Sequence, residues 1–176
     1  MEAWQPMLQE LAGPRYSRLV AHAATLTGDR AAAEDLVQDA LIRTFSRPRH
    51  FDSLPQAERY VRLSIASVFI DTARRAGRER RGWRRDTHPG QQPDVSAPSV
   101  DTDVASALAS LPPRVRACVV LRFLEDLSTR ETAAALGLSE GAVKRYVSDG
   151  TRELAQLLGT PVEEPEQSDV RTVRHD

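Results

Sequence analysis

The chain has 176 residues, 40% hydrophobic and 28% charged, with a formal net charge of −1. This mixture is typical of a soluble globular protein, and the length suits one ordinary domain or two small helical ones. The single cysteine, Cys118, excludes an intrachain disulfide framework and a cysteine-rich zinc site. No apolar run approaches the ~20 residues of a membrane span, and the N-terminus lacks the pattern of a signal peptide. We therefore expect a cytoplasmic protein with no direct membrane insertion.

The charge is unevenly distributed along the chain. Residues 59–85 contain nine arginines and two acids, whereas residues 86–110 contain four acids and no lysine or arginine. A basic block beside an acidic segment indicates a polyanionic partner, such as nucleic acid, for the first part of the chain. The alternative is that the basic block is an ordinary solvated helix end.

The first third of the chain is predicted to be helical. Gly13 and Pro14 separate a short N-terminal segment from a helix over residues 15–26. A turn follows, in which Asp29 is predicted to N-cap the next helix, over residues 30–46. Apolar residues recur in that helix at helical spacing: Leu36, Val37, Ala40, Leu41 and Phe45.

Pro48 ends this second helix, and a short loop over residues 49–54 leads to a third. Pro55 suits the first turn of that helix, with Ser53 as its cap. The helix continues into the basic block. Residues 86–103 then contain three prolines and almost no large apolar side chain, so this segment is predicted to be a linker.

A second helical set begins near residue 104. Ser128 and Glu131 have the spacing of a capping box, and Gly137 is predicted to end the short helix in a left-handed conformation. Ser139 is predicted to cap the last helix, which extends to about residue 158.

Residues 129–147 fit a helix-turn-helix. Ala133 is small where two helices must pack closely, Gly137 lies at the turn, and Val143 is placed to pack back onto the first helix. The last helix then has a polar face suited to phosphates and base edges, comprising Ser139, Glu140, Lys144, Arg145, Ser148 and Asp149. Glu140 and Asp149 reduce the net positive charge of this face, which predicts weak DNA binding by the module alone. A helical hairpin that contains glycine by chance is the alternative.

Three segments, AAAEDLVQDALIRTF (31–45), YVRLSIASVFIDTARR (60–75) and LPPRVRACVVLRFLEDLSTRETAAALGLSEGAVKRYVSD (111–149), together resemble extracytoplasmic-function (ECF) sigma factors of the sigma-70 family, in their actinobacterial form. The resemblance implies an all-α fold with two small domains joined by a flexible acidic linker. Residues 1–85 would form a sigma region 2-like domain and 104–158 a region 4-like domain containing the helix-turn-helix. Residues 86–103 would be the linker and 159–176 a disordered acidic tail.

The resemblance also implies function: binding to core RNA polymerase, recognition and melting of promoter DNA, and transcription of a limited regulon. The polymerase clamp would contact Asp35, Gln38, Asp39 and Arg43, and the flap would contact the second domain. The minus-ten element would contact Arg49, His50, Phe51, Asp52, Ser53, Arg62, Ser67, Asp71, Arg74, Arg75 and Arg78, with the loop taking up a flipped base. The minus-thirty-five element would contact Ser139, Glu140, Lys144, Arg145, Ser148 and Arg152. An anti-sigma factor is a further implied partner.

Three residues depart from the family pattern. Ser67 replaces a frequent Asn and cannot pair bidentately with a base edge, so base preference there is open. Tyr60 replaces a frequent Trp and keeps an aromatic body. Asp149 replaces a common Arg, which removes a phosphate contact.

Two other functional classes fit the sequence less well. A stand-alone helix-turn-helix regulator would need two-fold symmetry and enough basic surface to bind DNA unaided. An enzyme would need a catalytic constellation, but the histidines are scattered and no phosphate loop or nucleophile motif occurs. We therefore expect no enzymatic activity, cofactor, metal or small-molecule substrate.

Overall fold

The computed structural model describes residues 4–47, 49–83 and 102–159, with side chains for 4–47, 49–79 and 104–159. These ranges contain eight α-helices and no strand, as the all-α prediction requires. In order, they are α1 (Gln5–Ala12), α2 (Tyr16–Thr27), α3 (Arg30–Phe45), α4 (Leu54–Trp83), α5 (Thr102–Ser110), α6 (Pro113–Phe123), α7 (Thr129–Leu136) and α8 (Glu140–Leu158). The predicted flexible linker lies outside the described residues up to 101, and the predicted tail lies outside them from 160. Within the described ranges, no helix has the length and apolar character needed to cross a bilayer.

The first domain is built on α2, α3 and α4, which pack against one another with α1 alongside. The apolar face predicted for α3 is largely confirmed: Val37 and Ala40 are fully buried, whereas Phe45 is only partly buried. The predicted cap is confirmed, because the Asp29 carboxylate accepts a hydrogen bond of 2.8 Å from the Ala32 amide. Helix α1 was not predicted. Its Leu11 is completely buried, so tertiary packing stabilises a helix that is too short to be stable alone.

The second domain forms around α6, α7 and α8, with α5 against α8. The predicted capping box is present: Ser128 and Glu131 exchange hydrogen bonds of 2.9 and 3.1 Å. Gly137 ends α7 with φ +62°, and Ser139 caps α8 through the Ala142 amide, both as predicted. Val143 is completely buried where the helices of the helix-turn-helix meet.

The two domains pack directly on each other. Helices α2 and α4 of the first contact α5, α6 and α7 of the second. The Arg116 side chain crosses the boundary: it donates hydrogen bonds to the Leu26 carbonyl at the end of α2 and to the carbonyls of Ala109 and Leu111. A helix C-terminus has unpaired carbonyls and negative partial charge, so a buried guanidinium stabilises this junction. Burial lowers the pKa of Arg116 from its usual value.

Candidate nucleic-acid interface

A cavity of about 320 Å³ opens where the loop after α3 meets the start of α4. The Arg49 guanidinium lies 4.4 Å from the centre of the Tyr60 ring, and Phe51 is buried beneath, with its ring centre 5.6 Å from that of Tyr60. The complete lining is Arg49, His50, Phe51, Gln56, Arg59, Tyr60 and Leu63. An aromatic wall with cationic groups at its rim is a surface on which a nucleobase can stack beside its phosphate.

Packing and local hydrogen bonds hold the loop in place. The Phe51 ring is 5.9 Å from that of Phe45, so the loop is anchored to the end of α3. The Asp52 amide donates to Gln56 Oε1 at 2.6 Å, and Ser53 Oγ accepts from the Gln56 amide at 3.4 Å. Ser53 therefore caps α4, as predicted, and the loop shape is tied to the first turn of the helix.

Of the predicted minus-ten set, the loop residues Arg49, His50 and Phe51 line the cavity. Arg49, His50, Asp52 and Ser53 are exposed on the loop, whereas Phe51 is buried and lines the cavity. Four lining residues were not in the predicted site set: Gln56, Arg59, Tyr60 and Leu63. Their spacing puts them on one face of α4, which helical periodicity predicts.

The rest of the predicted minus-ten set lies further along α4. Arg74, Arg75 and Arg78 are exposed, and Ser67 is partly buried. Two residues of the predicted set, Asp71 and Arg62, form ion pairs within the protein. Asp71 Oδ2 accepts from Arg43 Nη1 at 3.0 Å, and Arg62 forms ion pairs with Glu58 and Glu125.

The predicted clamp-binding residues form one exposed face of α3. Asp35, Gln38 and Asp39 are exposed at helical spacing. The next position on this face is Ile42, whose exposure is 67%, and Arg43 lies beside it. An apolar side chain surrounded by polar groups is typical of a protein-binding surface. Ile42 was not in the predicted set.

The predicted minus-thirty-five residues are all exposed; Ser139 lies just before α8 and the others lie on it. Ser139 already accepts the Ala142 amide as the helix cap, so its hydroxyl is shared with the backbone. Arg145 lies 5.2 Å from the centre of the Tyr146 ring, and Arg114 and Arg145 lower the pKa of the Tyr146 hydroxyl through hydrogen bonding. Asp149 Oδ1 lies 3.6 Å from Arg152 Nη1, and this ion pair offsets part of the positive charge of the face.

Comparisons with known proteins assign these domains. Residues 14–79 match the family "Sigma-70 region 2", and residues 102–154 match "Sigma-70, region 4". The chain is 34% identical over 160 residues to the RNA polymerase sigma-E factor of Streptomyces coelicolor, covering 85% of this chain and 82% of that protein. The chain belongs to the ECF sigma factors. It is also 31% identical to the ECF RNA polymerase sigma factor SigE of Mycolicibacterium smegmatis, covering 95% of this chain and 67% of that one.

A solved structure of a sigma factor has a similar fold. The sigma factor RpoE of Bartonella quintana, crystallised with the anti-sigma factor NepR, superposes with a TM-score of 0.63 at 25% identity, covering 88% of this chain and 97% of that one. The region 2 match spans α2 to most of α4, and the region 4 match spans α5 to most of α8. This sigma factor is therefore a transcription initiation factor that acts with core RNA polymerase on promoter DNA.

Proposed function

We propose that three separate surfaces carry out the work of this sigma factor: a clamp-binding face on α3, a base-binding cavity at the start of α4, and a duplex-binding face on α8. The observation that carries the proposal is the cavity. Its lining contains aromatic rings, on which an unpaired base can stack, and arginines, which can contact the phosphate of that nucleotide. The family's role in opening promoters supplies the reason for such a cavity.

The clamp-binding face comprises Asp35, Gln38, Asp39 and Ile42, with Arg43 at its edge. Its acids would pair with basic groups of the polymerase, while Ile42 supplies apolar area. The Arg43–Asp71 ion pair joins this face to α4. Polymerase binding and the position of the melting helix would thus be coupled through one rigid pair of helices.

The base-binding cavity would hold one base of the displaced strand. Extruding a base costs a few kcal/mol of stacking and pairing. Stacking on an aromatic ring contributes about 1–3 kcal/mol, and contacts from Arg49 to the neighbouring phosphate would add to this. Arg74, Arg75 and Arg78 would then follow the strand along α4.

The duplex-binding face of α8 would contact the minus-thirty-five element through Lys144, Arg145, Ser148 and Arg152, with Ser139 and Glu140 at the helix start. This face is only weakly basic because Glu140 and Asp149 lie on it. Weak binding is sufficient for a protein that core polymerase holds beside the promoter.

We also propose cytoplasmic action without catalysis by this chain, since the polymerase that it serves carries out RNA synthesis. Control by an anti-sigma factor is proposed on the precedent of the Bartonella complex.

The cavity is tested with reconstituted holoenzyme and a fork-junction promoter whose minus-ten strand is unpaired. Tyr60→Ala should weaken binding about tenfold or more, through loss of ~1–3 kcal/mol of stacking, and Tyr60→Phe should retain most affinity. Tyr16→Phe, at a partly buried tyrosine on α2, is the control. The assignment is overturned if Tyr60→Ala binds the fork as the wild type does, or if its loss is the same on fully paired DNA.

A further inference from the structure

Four aromatic rings lie in a row that runs from the N-terminal helix to the base-binding cavity. The ring centres of Trp4 and Phe45 are 6.1 Å apart. Phe51 follows at 5.9 Å from Phe45, and Tyr60 at 5.6 Å from Phe51. All three separations fall in the range over which tilted and edge-on rings attract each other. These four residues form an aromatic row that joins the start of α1 to the lining of the cavity.

Helix α1 holds Trp4 in place. Leu11 is completely buried, and Leu8 is packed against the core. The Leu8 amide donates to the Trp4 carbonyl at 3.0 Å, so Trp4 is tied to the first turn of the helix. Helix α1 lies before residue 14, where the match to sigma-70 region 2 begins. The aromatic row therefore brings a helix from outside the matched segment into contact with the site.

The aromatic row supports the side of the loop that faces α3. Hydrogen bonds with Gln56 hold the loop at the start of α4. Its contact with the end of α3 is the packing of the Phe51 ring on the Phe45 ring. Phe45 is only partly buried, and Trp4 packs on it from α1. Removal of the indole would take away one ring contact of Phe45, and with it part of the support of the loop.

Given the proposed function, we infer that Trp4 is a positioning residue for base capture, which acts through Phe45 and Phe51 to hold the loop in the conformation that binds an unpaired base. Affinity falls in proportion to the fraction of molecules that have the competent conformation. One aromatic pair changes an equilibrium constant by a factor of about 2 to 13. Loss of the indole is thus sufficient to lower the competent fraction to about one-fifth.

The test measures binding of reconstituted holoenzyme to two fork-junction promoters, one intact and one with an abasic site in the unpaired minus-ten strand. The abasic position is the one at which removal of the base abolishes the effect of Tyr60→Ala. Trp4→Ala should weaken binding to the intact fork about fivefold and leave binding to the abasic fork within about twofold of the wild type. Trp4→Phe keeps an aromatic ring and should restore most of the affinity for the intact fork.

Leu8→Ala is the matched control, because Leu8 lies on the same helix, is partly buried as Trp4 is, and lies outside the aromatic row. It should bind both forks within about twofold of the wild type. Phe45→Leu is a second test variant that keeps an apolar side chain but removes the ring between Trp4 and Phe51. It should reproduce the loss seen with Trp4→Ala. The double variant should lose little more than either single variant, because the two side chains act in one row.

The inference is overturned if Trp4→Ala binds the intact fork as the wild type does, or if its affinity falls by the same factor on both forks. It is also overturned if Leu8→Ala shows the same base-dependent loss, or if the losses of Trp4→Ala and Phe45→Leu add in the double variant. A different result contradicts the proposed function itself. In that case Tyr60→Ala binds the intact fork as tightly as the wild type, and no abasic position has a special effect.

Discussion

At Gly150, the second domain leaves no room for a side chain. A Cβ atom there would lie 2.6 Å from Val119 Cγ2 and 2.8 Å from Val115 Cγ1, both in the buried face of α6. Gly150→Ala should destabilise the protein by about 1–3 kcal/mol because overpacking outweighs the gain in helix propensity of up to ~1 kcal/mol. Urea unfolding followed by circular dichroism measures this change.

Gly141 is the matched control in the same helix. A Cβ atom at this position meets nothing within 4 Å, so Gly141→Ala should be neutral or stabilising. If both alanine variants have the same free energy of unfolding, α6 and α8 do not approach each other at Gly150 as closely as the structure shows.

The Glu125 carboxylate predicts a dependence of stability on pH. Burial opposes its ionisation, but His22 and Arg62 outweigh burial and lower the pKa of Glu125 below its usual 4.5. Because the folded-state pKa is depressed, the stabilisation is present above pH 4.5 and is lost as the pH falls through the folded-state pKa. Glu125→Gln should reduce the free energy of unfolding by roughly 2 kcal/mol at pH 7.

The difference between wild type and Glu125→Gln should shrink as the pH falls below 4.5, in parallel urea titrations. Asp126→Asn, at the exposed neighbouring acid, serves as the control. A difference that stays constant from pH 7 down to pH 3 would argue against ionised Glu125 as the stabilising species.

At the scale of elements, local signals in the sequence were sufficient to predict where most helices begin and end. The cap at Asp29, the capping box at Ser128 and Glu131, and the glycine at 137 all act within one turn of backbone. Such short-range chemistry can be recognised without knowing the tertiary structure. Helix α1 was missed because its stability comes from burial of Leu11 against other helices rather than from its own sequence.

Helix α3 carries a prediction about polymerase binding. Gln38→Ala/Asp39→Ala should weaken binding to core polymerase about tenfold, or ~1.4 kcal/mol, because exposed partner contacts are lost. Helicity by circular dichroism should be unchanged, since both side chains are exposed. Arg18→Ala, on the exposed side of α2, is the control. Core affinity equal to that of the control would remove the clamp assignment.

Helix α8 carries a prediction about duplex DNA. Lys144→Ala/Arg145→Ala should weaken holoenzyme binding to the promoter and reduce the dependence of log affinity on log salt by about 2, while core affinity is kept. Gln156→Ala, exposed near the end of the same helix, is the control. Equal loss of core and promoter binding would mean that these residues support the fold instead.

At the scale of the whole molecule, the sequence predicted the two domains but not their contact. His22, Arg62 and Glu125 are far apart in the chain, and nothing in their local patterns indicates that they meet. The base-binding cavity was predicted in part, because its loop lies in one segment. Helical periodicity places Arg59 on one face of α4 with Tyr60 and Leu63, but the contact of that face with the loop is a tertiary feature that the periodicity does not indicate.

Promoter-specific initiation by this protein requires core polymerase to hold two weak DNA-binding surfaces at the spacing of a promoter. The most direct measurement is transcription in vitro with core polymerase and this protein, followed by mapping of RNA 5′ ends. Start sites should become confined to promoters that share a minus-ten and a minus-thirty-five motif, with the protein bound to core enzyme. If the protein neither associates with core polymerase nor changes where transcripts begin, its proposed role in promoter recognition is contradicted.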